Sequence, residues 1–167
     1  MLIRRIQPSD LPHIAAVQIE SWKDAYTEAL PAAYLADQVT EDLEHHWSEV
    51  AIQPEDIVRV AEDGGIIGFI SVWCRPDPFI DNLHVKPAHR SKGVGSKLMA
   101  SAARQMLRQG HSSAYLWVVE KNRRAIQLYE RLGGVRTEHA LKNIFGHKVP
   151  SVRIVWPDIS VLFSNTI

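Results

Sequence analysis

The sequence predicts one layered α/β (α+β) domain built on a mixed β-sheet, and three observations lead there. Its 167 residues fit a single domain and leave little room for two. With 46% hydrophobic and 23% charged residues, the chain holds enough apolar side chains for a sizeable core and lacks the bias of disordered sequences. Segments of strand and helix character follow one another as a hairpin, then strand, helix, strand, helix, then further strands. That order requires helices packed on a sheet of mixed direction.

Taken in order, residues 2–7 read as a short strand. Ser9 and Asp10 are good N-cap residues for a helix over 11–22, whose apolar Leu11, Ile14, Ala15, Val17 and Ile19 follow one face. Pro31 opens a second short helix through Tyr34 and Leu35. Thr40, followed by Glu41, Asp42 and Glu44, opens a third with acids at its positive end. Residues 57–62 and 66–73 flank Asp63-Gly64-Gly65, a hairpin signal. A loop over 75–78 leads into a strand over 79–85, which Pro87 ends. A helix over 93–109 carries an apolar stripe of Leu98, Ala102, Met106 and Leu107, and Gly110 stops it. A strand over 114–119, a helix over 122–132 ended by Gly133-Gly134, and strands over 135–141 and 151–156 complete the domain. Its expected extent is 1–167, with the core in 2–156 and a C-terminal tail over 157–167.

Several function classes are excluded. The N-terminus has no long apolar run after Arg4-Arg5, so no secretory signal is expected. The apolar stretch 66–73 is interrupted by Gly68 and Ser71 and is too short to span a bilayer, so no membrane role is expected. Cys74 is alone, which rules out an intrachain disulfide and makes a reducing cytoplasm the expected compartment. The eight histidines include adjacent His45-His46 but no His-x-x-x-His or Cys/His cluster, so no metal is expected. The net charge is zero but unevenly placed. Residues 1–63 hold four Lys/Arg against thirteen Asp/Glu, and residues 81–131 hold ten against three. The basic block is interspersed with glycines and falls on one loop, which favours a phosphate ligand over nucleic acid. The acidic half hints at a cationic acceptor such as a polyamine, an aminoglycoside or a peptide N-terminus.

The most informative segment is Arg90-Ser91-Lys92-Gly93-Val94-Gly95-Ser96, between a strand and a helix. Its glycines let the backbone approach an anion, and the first helical turn offers unpaired N–H groups and a positive dipole end. Together they suit a pyrophosphate, with charge from Arg90 and Lys92 and a hydroxyl from Ser96. The segment lacks the Walker A spacing, and Leu98 stands where a dinucleotide fingerprint needs its third glycine.

The Arg90-x-x-Gly93-x-Gly95 spacing resembles the cofactor loop of the GCN5-related N-acetyltransferase (GNAT) family. Downstream, Asn122, Ala125, Tyr129 and Gly133 fall in register with that family's next motif. Arg5 to Asp10 is similar to its opening strand and helix cap, and Ser21-Trp22-x-x-Ala25-Tyr26 to a first-helix pattern of small bacterial members. The resemblance covers residues 2–156. It implies a sheet of about six to seven strands flanked by helices, and an acyltransferase that passes an acetyl group from acetyl-CoA to a primary amine of a small molecule or peptide. It also allows a homodimer. A non-catalytic acyl-CoA sensor of the same fold is the alternative.

By the same resemblance, Leu83, His84 and Val85 would meet the pantetheine arm along the strand. Residues Arg90 to Ser96 would hold the pyrophosphate, Asn122 would contact the pantetheine region, and Ala125 would also bind the cofactor. Tyr129 takes the place of the general acid that protonates the departing thiolate. Ribosomal-protein alanine acetyltransferases carry a Glu five residues before the Asn. Trp117 stands there, which argues against that subclass and its base. Candidates for the base are Asp81, His84, Glu20 and Asp24. Trp22 and Tyr26, four apart on one helix face, are candidates for the acceptor site.

Overall fold

Seven strands form one sheet in the computed structural model, which describes residues 1–164. They are β1 (Leu2–Arg5), β2 (Ile57–Glu62), β3 (Ile66–Cys74), β4 (Pro78–Val85), β5 (Ala114–Val119), β6 (Val135–Ile144) and β7 (His147–Trp156). Their spatial order is β1-β2-β3-β4-β5-β7-β6. All neighbouring pairs are antiparallel except β4 and β5.

The helices are α1 (Leu11–Ala25), α2 (Val39–Glu49), α3 (Val94–Arg108), α4 (Arg123–Arg131) and α5 (Val161–Ser164). Strand alternation explains how they layer. On β2, Val58 and Val60 turn toward Ile14, Val17 and Trp47 of α1 and α2. Ile57 and Ala61 turn the other way, into a core with Leu98, Ala102 and Met106 of α3 and Ile126 of α4. The domain is therefore a sheet sandwiched between helices, as the element order predicts.

Four details differ from the sequence expectation. Asp10 does not cap α1. Its carboxylate accepts from the Gln7 N–H at 2.7 Å and pairs with Arg4 at 2.8 Å, closing a short 3-10 turn over Pro8–Asp10. The second and third helices are one run, joined by a π-helical stretch over Tyr34–Gln38. The β6–β7 hairpin is longer than expected, because Pro150 sits inside β7, opposite Leu141, rather than before it. Finally, the segment after Trp156 folds back. Ile159 and Leu162 are 0% and 1% exposed, and the Ile159 N–H donates to Ser112 O at 2.9 Å. Residues 165–167 of the expected tail lie outside the described residues.

Candidate active site

The site begins with a missing ladder. Parallel β4 and β5 are paired only at Phe79 and Tyr115. Beyond that point β4 keeps its partner β3 and β5 keeps β7, but the two strands share no further register. Two clefts open at this gap, one of about 560 Å³ and one of about 580 Å³, and His84 lines both.

The first cleft is basic. Its floor is the loop before α3, where Ser91 and Gly93 both adopt left-handed backbone (φ 62° and 78°). Such alternation turns successive N–H groups toward one point, an anion-binding nest. Glycine carries this conformation at Gly93 without the Cβ penalty. The first intrahelical bond of α3 runs from Lys97 N–H to Gly93 O at 3.1 Å, so the N–H groups of Val94, Gly95 and Ser96 have no intrahelical acceptor. At Gly95 a Cβ would meet Leu128 of α4 at 3.3 Å, so the small residue also lets the two helices close together. Lys121, Arg123, Arg124 and Arg131 line the opposite wall. Arg124 donates to Ser91 Oγ at 2.8 Å, tying that wall to the loop.

Arg90 is placed differently from the expectation of a charge for the pyrophosphate. Its guanidinium turns toward α1, where it pairs with Asp24, donates to Ser21 Oγ at 3.2 Å and to Val85 O at 3.1 Å. Ser21 Oγ lies 3.0 Å from His84 Nδ1. Because the guanidinium can only donate, Ser21 accepts from it and keeps its own hydrogen for Nδ1. His84 is thus held as the Nε2–H tautomer. Burial, assisted by the positive charge of Arg90, pushes its pKa down to about 3, so the imidazole is neutral at physiological pH.

The second cleft is aromatic. Trp22 and Tyr26, with ring centroids 5.1 Å apart, close it from α1. Phe145, at the tip of the β6–β7 hairpin, reaches to 6.1 Å from Trp22. Phe79 and Tyr115 stack at 5.2 Å beneath, and Lys142 Nζ sits 4.1 Å over the Trp117 ring. Asp81 enters this cleft through a β-bulge. Ser71 pairs with Asn82 and Val72 with Ile80, so Asp81 is the extra residue of β4. A bulge re-aims a side chain and sharpens local twist. The Asp81 carboxylate accepts from Trp73 Nε1 at 2.8 Å and from Asn82 Nδ2 at 3.3 Å. Desolvation by the cleft walls raises its pKa, against the lowering effects of the Trp73 hydrogen bond and of His46, although the residue keeps contact with solvent.

A buried polar chain fixes the bulge. Trp47 Nε1 donates to Gln18 Oε1 at 2.6 Å, Gln18 Nε2 to Asn82 Oδ1 at 3.0 Å, and Asn82 Nδ2 to Ser71 Oγ at 2.9 Å. These residues were not singled out from the sequence. The signal lies in α1, where Gln18, Ser21, Trp22 and Ala25 continue the buried face at helical spacing, but a search for apolar periodicity passes over the two polar ones.

Tyr129 lines the basic cleft from α4 and packs edge-on against Trp156 at 5.8 Å. Its hydroxyl makes no hydrogen bond to any described residue. Burial, with Tyr26 nearby, raises its pKa well above the usual phenol range. Tyr26 is raised likewise by burial, with Asp81 nearby. Asp81 thus acts on Tyr26, which lines the aromatic cleft, and Tyr26 on Tyr129, which lines the basic one.

Of the residues expected at the cofactor, Leu83, Val85, Ser91, Val94, Ser96, Asn122 and Ala125 line the basic cleft with His84, Arg90, Gly93, Gly95 and Tyr129, whereas Lys92 is exposed and does not. Asn122 also caps α4, its Oδ1 accepting from the Ala125 N–H at 3.3 Å. Asp24 is engaged with Arg90, and Glu20 is exposed and lines neither cleft. None of the thirteen acids of residues 1–63 lines the aromatic cleft, so the charge surplus read as a hint of a cationic acceptor does not face it.

A protein-family model described as the acetyltransferase (GNAT) family matches residues 19–134. The N-acetyltransferase YuaI of Bacillus subtilis, itself uncharacterized, is 28% identical over 168 residues, covering 96% of this chain and 95% of that protein. Among solved structures, a GCN5-related N-acetyltransferase from Rhodopseudomonas palustris shares the fold with a TM-score of 0.77 at 19% identity, over 92% of this chain and 93% of that one. The PaiA N-acetyltransferase of Thermoplasma acidophilum, solved in complex with coenzyme A, does so at 0.69 and 21% identity, over 90% and 96%.

Proposed function

The chain belongs to the acetyltransferase (GNAT) family and is an acyltransferase that uses acetyl-CoA; from that premise we propose that it acetylates a primary amine of a small molecule held in the aromatic cleft. The observation that carries this is the meeting of two clefts at the β4–β5 gap, with His84 on both, Tyr129 on the basic one and Tyr26 on the aromatic one.

The basic cleft fits the cofactor. The loop of Ser91 to Ser96 offers a pyrophosphate its N–H groups, and Arg123 and Arg124 add charge. The unpaired β4 edge suits an extended pantetheine arm, with Asn122 at its side. When bound, acetyl-CoA supplies an activated acyl group and a thiolate leaving group.

Tyr129 holds a proton at physiological pH and keeps it free of other partners, so it is the general acid in this reading. Asp81 is the base and ammonium anchor. It is the one carboxylate lining the aromatic cleft, and its raised pKa brings it closer to that of an amine. His84 is a positioning residue. Its neutrality and its occupied Nδ1 remove it as a base, and its Nε2–H remains as a fixed donor at the junction.

Two measurements test the reading. Isothermal titration should show acetyl-CoA binding at micromolar concentration, and thiol release should appear with members of an amine panel. Tight binding with no release from any amine would overturn the catalytic assignment.

A further inference from the structure

We propose that the acceptor is an amino-carboxylate, a molecule carrying both a primary amine and a carboxylate, and that Lys142 is the residue that recognises the carboxylate. The proposal rests on the acetyltransferase reading and adds a substrate class to it. The observation is the charge lining of the aromatic cleft. Its titratable side chains other than the tyrosines are His46, Asp81, His84 and Lys142. Among the described residues, Asp81 is its only carboxylate and Lys142 its only Lys or Arg.

Neither charge has an ion-pair partner among the described residues, although His46 of the same lining acts on Asp81 from a distance. Asp81 accepts from the neutral groups Trp73 Nε1 and Asn82 Nδ2 and makes no ion pair with a described residue. Lys142 has no carboxylate within ion-pair distance among the described residues, and its ammonium rests on the Trp117 ring face. In most surface settings a lysine head extends into water. Here the side chain is half-buried, its stem is held in β6 opposite Val149, and its head is laid over an aromatic floor inside a concave site. Two opposite charges on one cleft lining select a ligand that carries the complementary pair. The ammonium end goes to Asp81 and the bulged edge of β4, near the junction with the other cleft. The carboxylate goes to Lys142, on the hairpin side.

The same lining disfavours polycations. A diamine or polyamine that set one nitrogen at Asp81 would bring its second positive charge toward Lys142, a like-charge juxtaposition. The cleft holds no second carboxylate to compensate. Its aromatic walls, from Trp22, Tyr26, Phe79 and Tyr115, suit the hydrocarbon between the two polar ends.

The test is a matched-pair assay of thiol release. Each amino-carboxylate is compared with the amine lacking its carboxylate: 4-aminobutyrate with propylamine, lysine with cadaverine, phenylalanine with phenethylamine. In at least one pair the carboxylate-bearing member should be preferred in kcat/KM by about tenfold, the scale of one charge-assisted contact. Lys142→Met should erase that preference, and Lys142→Glu should reverse it in favour of cadaverine. Acetyl-CoA affinity, measured by titration, should be the same in all three proteins, which shows that the variants are folded. Equal or inverse preference in every pair that is turned over, or a preference that survives Lys142→Glu, overturns the proposal while leaving the transferase reading intact. No thiol release with any amine, despite normal acetyl-CoA binding, overturns the transferase reading and the proposal with it.

Discussion

The two clefts have nearly equal volumes, about 560 and 580 Å³, yet they are built in opposite ways. The basic cleft is made largely of backbone: an anion nest at Ser91 and Gly93, the first turn of α3 and the open edge of β4, with arginines at the rim. The aromatic cleft is made of side chains from α1, α2, β4, β5 and the β6–β7 hairpin. Backbone geometry follows from local residue choice, so the first site is tolerant of everything except its glycines and end groups. Side-chain geometry follows from packing, so the second can be retuned by single substitutions. Under the proposed function, the difference teaches where donor and acceptor specificity would reside: the unvarying shape of a pyrophosphate is matched by N–H groups, and the particular shape of an amine by rings and single charges.

The largest expected effect lies at the junction. Tyr129→Phe removes the proton donor without removing the ring that packs on Trp156, so kcat should fall by about 100-fold or more while acetyl-CoA affinity is kept. Steady-state kinetics with titration of the cofactor checks both halves. Asp81→Asn comes next and touches only the aromatic cleft. Acceptor kcat/KM should fall by at least about tenfold. A base acts when ionised, so the activity Asp81 supports is present above its pKa and lost as pH falls through it. Because the folded state raises that pKa, the loss sets in at a higher pH than for an unperturbed aspartate, and a pH profile of the variant should lack this limb.

On the basic side, Gly93→Ala forces a Cβ into left-handed backbone, at a cost of roughly 1–2 kcal/mol. Relaxation of the nest should weaken acetyl-CoA binding by about tenfold and leave acceptor preference alone. If preference changed as well, the two clefts would not be separable. Gln18→Leu leaves Trp47 Nε1 and Asn82 Oδ1 without partners and should lower stability by about 1–3 kcal/mol in chemical denaturation. Acceptor KM should rise with it, because the Asp81 bulge loses its support. The smallest effect is expected from Glu20→Gln, which removes one acid of the N-terminal surplus. It should change acceptor preference by less than about twofold, since the exposed side chain lines neither cleft.

The contrast also explains what could be read before any coordinates. The basic cleft was legible because its parts are contiguous: a strand, Arg90, Gly93, Gly95, a helix start, and then Asn122 and Tyr129 one helix and one strand later. Lys92 misled because sequence shows a charge beside a phosphate loop but not which way it points. Arg90 did so too, its guanidinium being recruited by Asp24 and Ser21 from a helix 66 residues earlier. The acceptor side was legible only in Trp22 and Tyr26. Lys142 and Phe145 were hidden because Pro150 obscured the true length of β7, and hence of the hairpin that carries them.

By itself the sequence determined the layered α/β fold, the helix start that lines the basic cleft, and the family to which the chain belongs. All three follow from periodicity, glycine placement and spacing, which act over a few residues at a time. The tertiary structure alone decided that β4 and β5 part after Phe79, that a bulge turns Asp81 into the second cleft, and that the acidic N-terminal half faces elsewhere. Those are outcomes of strand register and helix packing between segments distant in sequence, and no local pattern encodes them.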